Sequence, residues 1–249
     1  MGVEQYQEAV FLGSTQVGQA YLGDQRAVFN QHAFDTGSGL TYVTGGLVLY
    51  VDPTETGSYP GTGTSVYNLS TINVTGSMGT GASVSGGVFV IDGTANGYIT
   101  FPDTNLNYST TTSTVMGAAR YTTQPTATGR TISGGTENWL LGHWSGTVDN
   151  YYANGTITGI PGSISNNSWY IYAGTGDYSG DTWGIYINGT LSVQNNGGGG
   201  GPRGFSLGAY NGGSEFSACQ VGFLMLYNRV LTAAEVLQNY NYFKSRYGL

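Results

Sequence analysis

The pattern of apolar and polar positions is clearest at the C-terminal end of the chain. Residues 221–227 (VGFLMLY) are apolar apart from one glycine, and an unbroken apolar run of this length predicts a strand covered on both faces. Thr232 stands three residues before Glu235, the spacing of a capping box, in which each side chain hydrogen-bonds the other residue's backbone amide. Leu231 and Val236 occupy the positions of a hydrophobic staple. A helix is therefore predicted to begin at Thr232.

The predicted helix has one apolar face. Its apolar residues follow at spacings of four, three and four, as in a helix that packs against a sheet; they are Val236, Tyr240, Phe243 and Tyr247. Lys244 and Arg246 fall in the last turn, where cations interact favourably with the helix dipole. Gly248 is predicted to end the helix in the left-handed conformation.

The rest of the chain alternates short strand-forming runs with turn-forming residues, and this spacing predicts an antiparallel sandwich rather than parallel βαβ units. Residues 88–93 predict a strand running into an Asp-Gly turn, with residues 97–102 as its hairpin partner. Asn188 and Gly189 predict a second tight turn, and the loop 196–201, with five consecutive glycines, is predicted to be long and flexible. Further strands are predicted at 47–52, 115–121, 138–144, 149–153, 168–173, 182–188, 190–194 and 204–210.

A short internal repeat lies near the N-terminus, where VFLGSTQV and AYLGDQRAV place two Leu-Gly pairs ten residues apart. Each repeat predicts a short apolar strand with a Gly-centred turn, and an isolated hairpin is marginal in water, so both need a partner. They either add edge strands to the sandwich or form an attachment arm that pairs with another chain by strand addition. We favour an arm over residues 1–45, with 31–44 as its connector; its assembly contacts would be Phe11, Leu12, Tyr21 and Leu22.

Five segments, in this order, resemble the concanavalin A-like lectin/glucanase superfamily, in the laminin G-like form found in many bacteriophage structural proteins. They are GLVLYVD with SYPGTGTSVYNLS near 46–70, FVIDGTANGYITFP at 89–102, WGIYINGTL at 183–191, FSLGAY at 205–210, and the closing strand and capped helix. The resemblance covers residues 46–249, which we take as the main domain. It implies an all-β, antiparallel two-sheet jelly-roll sandwich with a short C-terminal helix, and often sugar or surface binding.

Composition supports a folded β protein and limits the classes of partner that it can bind. The chain has 43 glycines in 249 residues, but 39% hydrophobic and 13% aromatic content is too high for disorder. A net charge of −7 with seven basic residues argues against nucleic-acid binding. No segment resembles a signal peptide or a membrane span, so we expect a soluble protein without membrane insertion. Cys219, the only cysteine, can form no internal disulfide and is expected to be a small buried residue.

Catalytic patterns are missing from the sequence. Retaining glucanases of the superfamily carry Glu-x-Asp-x-x-Glu on one strand, so that the nucleophile and the acid share a face, and this chain has no such pattern. His32 and His143 are the only histidines, and no Gly-x-Ser-x-Gly elbow is present. We therefore expect no catalytic residue and no enzymatic activity. Glycoside hydrolysis ranks a distant third, behind the two non-enzymatic functions described below.

Two groups of residues are candidates for binding. Asp177 and Asp181 flank a Gly-rich loop whose carboxylate and carbonyl oxygens suit Ca²⁺, although Asp at a hairpin tip is more commonly a turn former. No other cofactor is expected. The second group is aromatic and could stack on the C–H faces of a sugar, with inward-facing core positions as the alternative; it comprises Trp139, Trp144, Tyr151 and Tyr152.

Two classes of function compete. The first is a non-enzymatic bacteriophage virion protein, a head decoration or tail-fibre component, which contacts other virion proteins and copies of itself and displays the sandwich toward cell-surface glycan. The second is a free carbohydrate-binding lectin. The resemblance to phage proteins and the lack of a signal peptide favour the first, and the virion is the expected location.

Overall fold

The computed structural model of this chain describes residues 40–249 except 107, 124–128 and 164–166, with Thr156–Ser163 described by their backbone alone. It also describes the backbone of four two-residue strands near the N-terminus, Phe11–Leu12 (β1), Thr15–Gln16 (β2), Tyr21–Leu22 (β3) and Gln25–Arg26 (β4). None of the helices in this part of the chain is long and apolar enough to cross a membrane.

The strands that follow are β5 (Leu47–Val51), β6 (Ser65–Tyr67), β7 (Thr75–Met78), β8 (Ala82–Ser85), β9 (Val88–Asp92), β10 (Ile99–Phe101), β11 (Thr112–Tyr121), β12 (Arg130–Gly134), β13 (Trp139–Trp144), β14 (Thr147–Ala153), β15 (Thr156–Ser163), β16 (Tyr170–Asp177), β17 (Thr182–Ile187), β18 (Thr190–Asn195), β19 (Phe205–Leu207) and β20 (Ala218–Tyr227). They are followed by helix α1 (Ala233–Phe243) and a 3-10 turn, Lys244–Tyr247.

Two antiparallel sheets of eight strands each form a sandwich. The first sheet has the order β15-β14-β13-β12-β19-β10-β7-β6. The second has the order β18-β17-β16-β11-β20-β9-β8, and β5 also pairs with β20. The predicted core strand at 221–227 is the greater part of β20, which lies in the middle of the second sheet. The predicted all-β, two-sheet sandwich with one short C-terminal helix is confirmed.

The core between the sheets is built by alternation along the strands. In β9, Phe89 and Ile91 are buried, and in β10 Ile99 and Phe101 are buried, while the residues between them are partly exposed. Full burial of one such side chain contributes about 1.5–3 kcal/mol. The largest side chains of this core include Trp139, Trp183, Tyr172 and Phe205.

The predicted hairpin between residues 88–93 and 97–102 is wrong. Strand β9 pairs with β8 and β20 in the second sheet, whereas β10 pairs with β7 and β19 in the first. The turn itself forms, because the Asp92 carboxylate accepts from the Thr94 amide at 2.9 Å and Gly93 has a φ of 78°. It carries the chain across the sandwich, so the two strands bury their apolar faces against opposite sides of one core.

The C-terminal helix covers the outer face of the second sheet. Thr232 Oγ1 accepts from the Glu235 amide at 3.3 Å, and the Glu235 carboxylate accepts from the Thr232 amide at 2.9 Å, so the predicted capping box is confirmed. Phe243 stacks on Phe223 of β20, with ring centroids 3.9 Å apart. Val236 is fully buried beside them, and the helix therefore docks through an aromatic layer.

The buried face of the helix is shifted from the predicted one. Tyr240 is only half-buried, and Asn239 is fully buried in its place. The Asn239 side chain accepts from the Val43 amide at 2.8 Å and donates to the Tyr227 hydroxyl at 3.0 Å. Gly248 ends the 3-10 turn with a φ of 70°, as predicted for a left-handed stop. Spacing alone missed the buried polar contacts that Asn239 makes with Val43 and Tyr227.

The loop 196–201 is packed and was wrongly predicted to be flexible. Gly199 donates to the Ala153 carbonyl at 2.6 Å, and Gly201 donates to the Thr110 carbonyl at 2.7 Å. A Cβ added to Gly198 would lie 2.3 Å from the Trp183 ring, a distance that no side chain tolerates. The glycines therefore allow the backbone to close over a core tryptophan.

The described N-terminal strands form two small antiparallel hairpins, β1 with β2 and β3 with β4. The side chains of Phe11, Leu12, Tyr21 and Leu22 lie outside the described residues, so their assembly role stays a prediction, as does the division of the chain at residue 45. Tyr42 and Val43 lie in the cluster under helix α1, and the Tyr227 hydroxyl donates to the Val43 carbonyl at 2.8 Å.

Candidate functional site

The four predicted aromatic residues do not form one platform. Trp139 and Tyr151 are in the core, edge to face with ring centroids 5.6 Å apart. Tyr152 is half-buried and pairs with Leu140 in the middle of β13. Trp144 is 37% exposed at the end of the same strand. Of the four, Trp144 is therefore the side chain that presents most of its ring to solvent.

A tight turn positions Trp144. It is the last residue of β13, and the next two residues, Ser145 and Gly146, have φ values of 49° and 75°. Two successive positive φ values are typical of a type I′ hairpin turn, whose twist matches that of the flanking strands. Thr147 Oγ1 donates to the Trp144 carbonyl at 2.8 Å and closes the turn. The backbone that carries the indole is thus held on both sides.

A carboxylate fixes the indole ring itself. Trp144 Nε1 donates to Glu215 Oε2 at 3.1 Å. Glu215 is in turn paired with Arg130, whose Nε donates to Oε2 at 2.6 Å and whose Nη2 donates to Oε1 at 3.3 Å. The Arg130 side chain is 5% exposed and that of Glu215 is 22% exposed. This two-point contact sets the orientation of the carboxylate that holds Trp144.

The guanidinium of Arg130 is saturated by protein acceptors. Besides its two bonds to Glu215, Nη2 donates to Asn138 Oδ1 at 2.9 Å. Nη1 donates to the Trp139 carbonyl at 3.3 Å and to Ser133 Oγ at 3.5 Å. An arginine has five N–H donors, and these contacts account for all of them. Arg130 therefore acts as a scaffold for the site.

Tyr210 completes the site from the loop that precedes β20. Its ring lies over the Arg130 guanidinium, 4.4 Å from the ring centroid to Cζ, which is a cation–π contact. The loop is closed by the Tyr210–Ser214 bridge, and the Gly212 amide donates to Ser206 Oγ at 3.1 Å on the first sheet. We name the exposed surface formed by Trp144, Tyr210 and Glu215 the Trp144 surface.

Most of the Trp144 surface was missed from the sequence. Arg130 and Glu215 are 85 positions apart, and neither stands in a recognisable motif. The one local signal is a charged arginine that begins a strand of otherwise small and apolar residues, since such a charge needs a partner when it is buried.

Asp177 and Asp181 both accept hydrogen bonds from protein groups, Asp177 within its own turn and Asp181 from the loop at Gly197. Asp177 Oδ1 accepts from the Ser179 amide at 3.0 Å and from the Ser179 hydroxyl at 2.7 Å, and the hydroxyl contact is the main reason that the pKa of this exposed carboxyl is lowered. Asp181 Oδ1 accepts from the Gly197 amide at 2.7 Å. Among the described residues, no group of three or more His, Cys, Asp or Glu side chains is arranged to hold a metal ion. The Asp177 contacts fit the turn-forming alternative, and the Asp181 carboxylate ties its turn to the glycine loop.

The reactive side chains of the sandwich are deeply buried. His143 packs edge-on against Tyr121, with ring centroids 4.6 Å apart, and burial lowers its pKa to about 3. Burial raises the pKa of the Cys219 thiol to about 12, in agreement with the predicted small core residue. At neutral pH the imidazole is therefore uncharged and the thiol is protonated.

The fold and its exposed aromatic surface define a lectin-like β-sandwich. The family model of the concanavalin A-like lectin/glucanases superfamily, in its laminin G-like form, matches residues 92–237, which is more than half of the chain. The chain belongs to this superfamily, and the resemblance found in its sequence is confirmed at that level. No curated protein sequence matches the chain.

Several solved structures have a similar fold at low sequence identity. Trypanosoma rangeli sialidase matches with a TM-score of 0.59 and 17% identity, over 83% of this chain and 34% of the sialidase chain. The binding domain of Paraclostridial Mosquitocidal Protein 1 matches with a TM-score of 0.59 and 16% identity, over 80% of this chain and 52% of that chain. The binding domain of botulinum neurotoxin serotype G has the same score and identity, over 80% and 51%. The chain thus spans about a third of the sialidase and half of each toxin domain, and the likeness is one of fold.

Proposed function

We propose that this protein is a non-enzymatic bacteriophage virion component, a head decoration or tail-fibre protein, that displays its sandwich as a glycan-binding module. The observation that carries the binding part is Trp144, a residue that is 37% exposed and whose indole donates to Glu215. Aromatic faces pack on the C–H faces of sugars, and a ring that is already immobile loses little entropy when it binds.

The comparisons support a binding role at the level of the fold. Two of the similar structures are binding domains of toxins, and they share the sandwich with this chain. In each case the matched region is about half of the domain. A lectin-like sandwich with an exposed, anchored tryptophan is consistent with adhesion to a surface that carries carbohydrate.

The pairing of three carboxylates with arginines supports a role without hydrolysis. Most retaining glycosidases use two carboxyl groups about 5 Å apart across a substrate, one of them free to act as a nucleophile. In the described part of the chain, Glu215 is paired with Arg130, and Glu137 is paired with Arg203 at 3.3 Å. Asp52 is fully buried and paired with Arg246. These arginine-bound carboxylates are suited to structural roles.

The virion part of the proposal rests on the N-terminal region. Two hairpins with similar sequences, β1–β2 and β3–β4, precede the sandwich at a spacing of ten residues. Short strands of this kind can pair with a neighbouring chain, and many copies on one particle would convert a weak sugar contact into strong adhesion. A free lectin would gain no such avidity from the arm.

Trp144→Ala is expected to lower the affinity for glycans by about tenfold or more, because it removes the stacking face without removing buried area from the core. A glycan array would identify a ligand, and calorimetric titration would then measure the affinity of each variant. Tyr67→Ala is the matched control, since Tyr67 is 43% exposed on β6 at the far edge of the same sheet. Equal affinities of both variants for the same glycan would contradict the assignment of the site.

A fragment that begins at Leu40 is expected to unfold cooperatively but to lose assembly, because it keeps Tyr42 and Val43 in the core and lacks both hairpins. Analytical ultracentrifugation would compare it with the full chain, and mass spectrometry would test whether the full chain co-purifies with phage particles. A full chain that stays monomeric and is absent from particles would instead support a free lectin.

A further inference from the structure

The described basic side chains are all engaged by acceptors within the protein. Six of the seven basic side chains of the protein are described, and each of them donates to an acceptor within the chain; they are Arg120, Arg130, Arg203, Arg229, Lys244 and Arg246. The chain as a whole carries a formal charge of −7. Whether the Trp144 surface accepts neutral or anionic sugars therefore depends on the charged groups next to Trp144, which are Arg130 and Glu215.

Arg130 is the cation at the Trp144 surface, and it is unable to receive a carboxylate. All its donors are used by Glu215, Asn138, Ser133 and the Trp139 carbonyl, and Tyr210 covers its face. Its side chain is 5% exposed. A sugar carboxylate would have to break the buried pair with Glu215 to reach it, and leaving that carboxylate without its partner is costly.

The charged group that solvent does reach is Glu215. A carboxylate offers about four lone-pair positions. Oε2 uses two of them for Arg130 Nε and Trp144 Nε1, whereas Oε1 accepts one bond, from Arg130 Nη2. Oε1 therefore keeps one acceptor position that no described group fills, on the same carboxylate that holds the indole through Oε2, and a sugar hydroxyl can donate to it.

We infer that the Trp144 surface binds neutral pyranose sugars, stacked on Trp144 with one hydroxyl donating to Glu215 Oε1, and rejects sialic acids and uronic acids. This inference rests on the proposed function, because it concerns the same surface. A sugar carboxylate placed over Trp144 would face the Glu215 carboxylate, and like charges held close together disfavour binding. The likeness to sialidases is thus one of fold, and the chemistry of this surface points to uncharged hexoses, 6-deoxyhexoses and N-acetylhexosamines.

Matched glycan pairs test the inference on the full chain. Each pair would present the same oligosaccharide with and without a terminal sialic acid, or with glucose in place of glucuronic acid. The neutral glycan of each pair is expected to bind at least about tenfold more tightly than the anionic glycan. Its affinity is expected to change little between low and high salt, since no ion pair forms with the ligand.

The possible outcomes separate the inference from the proposed function. Anionic glycans that bind as well as or better than neutral ones, with binding abolished by Trp144→Ala, would overturn the inference and leave the proposed site intact. Binding of neutral glycans that Trp144→Ala abolishes and Tyr67→Ala preserves would support both. Failure of every glycan to bind a folded chain would overturn the inference together with the glycan-binding proposal.

Discussion

Phe243→Ala is expected to lower the free energy of unfolding by about 3–5 kcal/mol, the cost of removing a buried aromatic ring from a packed layer. Phe243 is fully buried, stacks on Phe223 at 3.9 Å, and lies within 6.3 Å of the rings of Tyr42 and Tyr50. Its removal leaves a cavity between helix α1 and the second sheet. Urea denaturation followed by tryptophan fluorescence would measure the loss.

Tyr240→Ala is the control for this prediction. Tyr240 is one turn away on the same helix but half-buried, with its ring against Gly189, so about 1 kcal/mol or less should be lost. Similar losses for the two variants would contradict the helix orientation seen here. Such a result would instead restore the face expected from residue spacing, which includes both Tyr240 and Phe243.

Arg130→Ala is expected to lower the free energy of unfolding by about 3–5 kcal/mol and to abolish glycan binding as fully as Trp144→Ala. Removing one partner of a buried ion pair leaves the other charge partly desolvated and unpaired. Glu215 would then lose the contacts that orient it, and Trp144 would lose its fixed acceptor. Thermal unfolding and calorimetric titration on the same sample would measure both effects.

Arg203→Ala is the matched control for the buried pair. Arg203 pairs with Glu137 at 3.3 Å, but its side chain is 49% exposed, and an exposed ion pair contributes about 0–1 kcal/mol. Glycan binding should be unchanged in this variant. If both arginine variants lose the same stability, or if Arg130→Ala retains full binding, Arg130 is not the support of the site.

Local chemistry explains the parts of the fold that were predicted correctly. The capping box of Thr232 and Glu235 needs only residues three positions apart, and it begins the helix as expected. The turn at Asn188 and Gly189 has φ values of 49° and 78°, the conformation that these two residues favour. In both cases the interacting atoms are near neighbours in the chain, so their residue types are sufficient evidence.

The errors share a different cause. Strands β9 and β10 have the right alternation for a hairpin, yet they lie in opposite sheets, because alternation shows which residues share a face and not which strand lies beside them. The glycines of 197–201 suggested flexibility, but their absent side chains make room for Trp183. Both outcomes depend on groups that are distant in sequence.

The sequence by itself determined the central strand β20 and the start of the C-terminal helix, because these depend on short-range pattern and capping, and the resemblance of five segments indicated the superfamily and its two-sheet β class. Only the tertiary structure decided that Trp139 and Tyr151 fill the core while Trp144 is exposed. Only the tertiary structure shows that Arg130 contacts Glu215, which is 85 positions away in the chain. The physical reason is that burial and ion pairing follow from which strands become neighbours, and that choice is made by packing of the whole core.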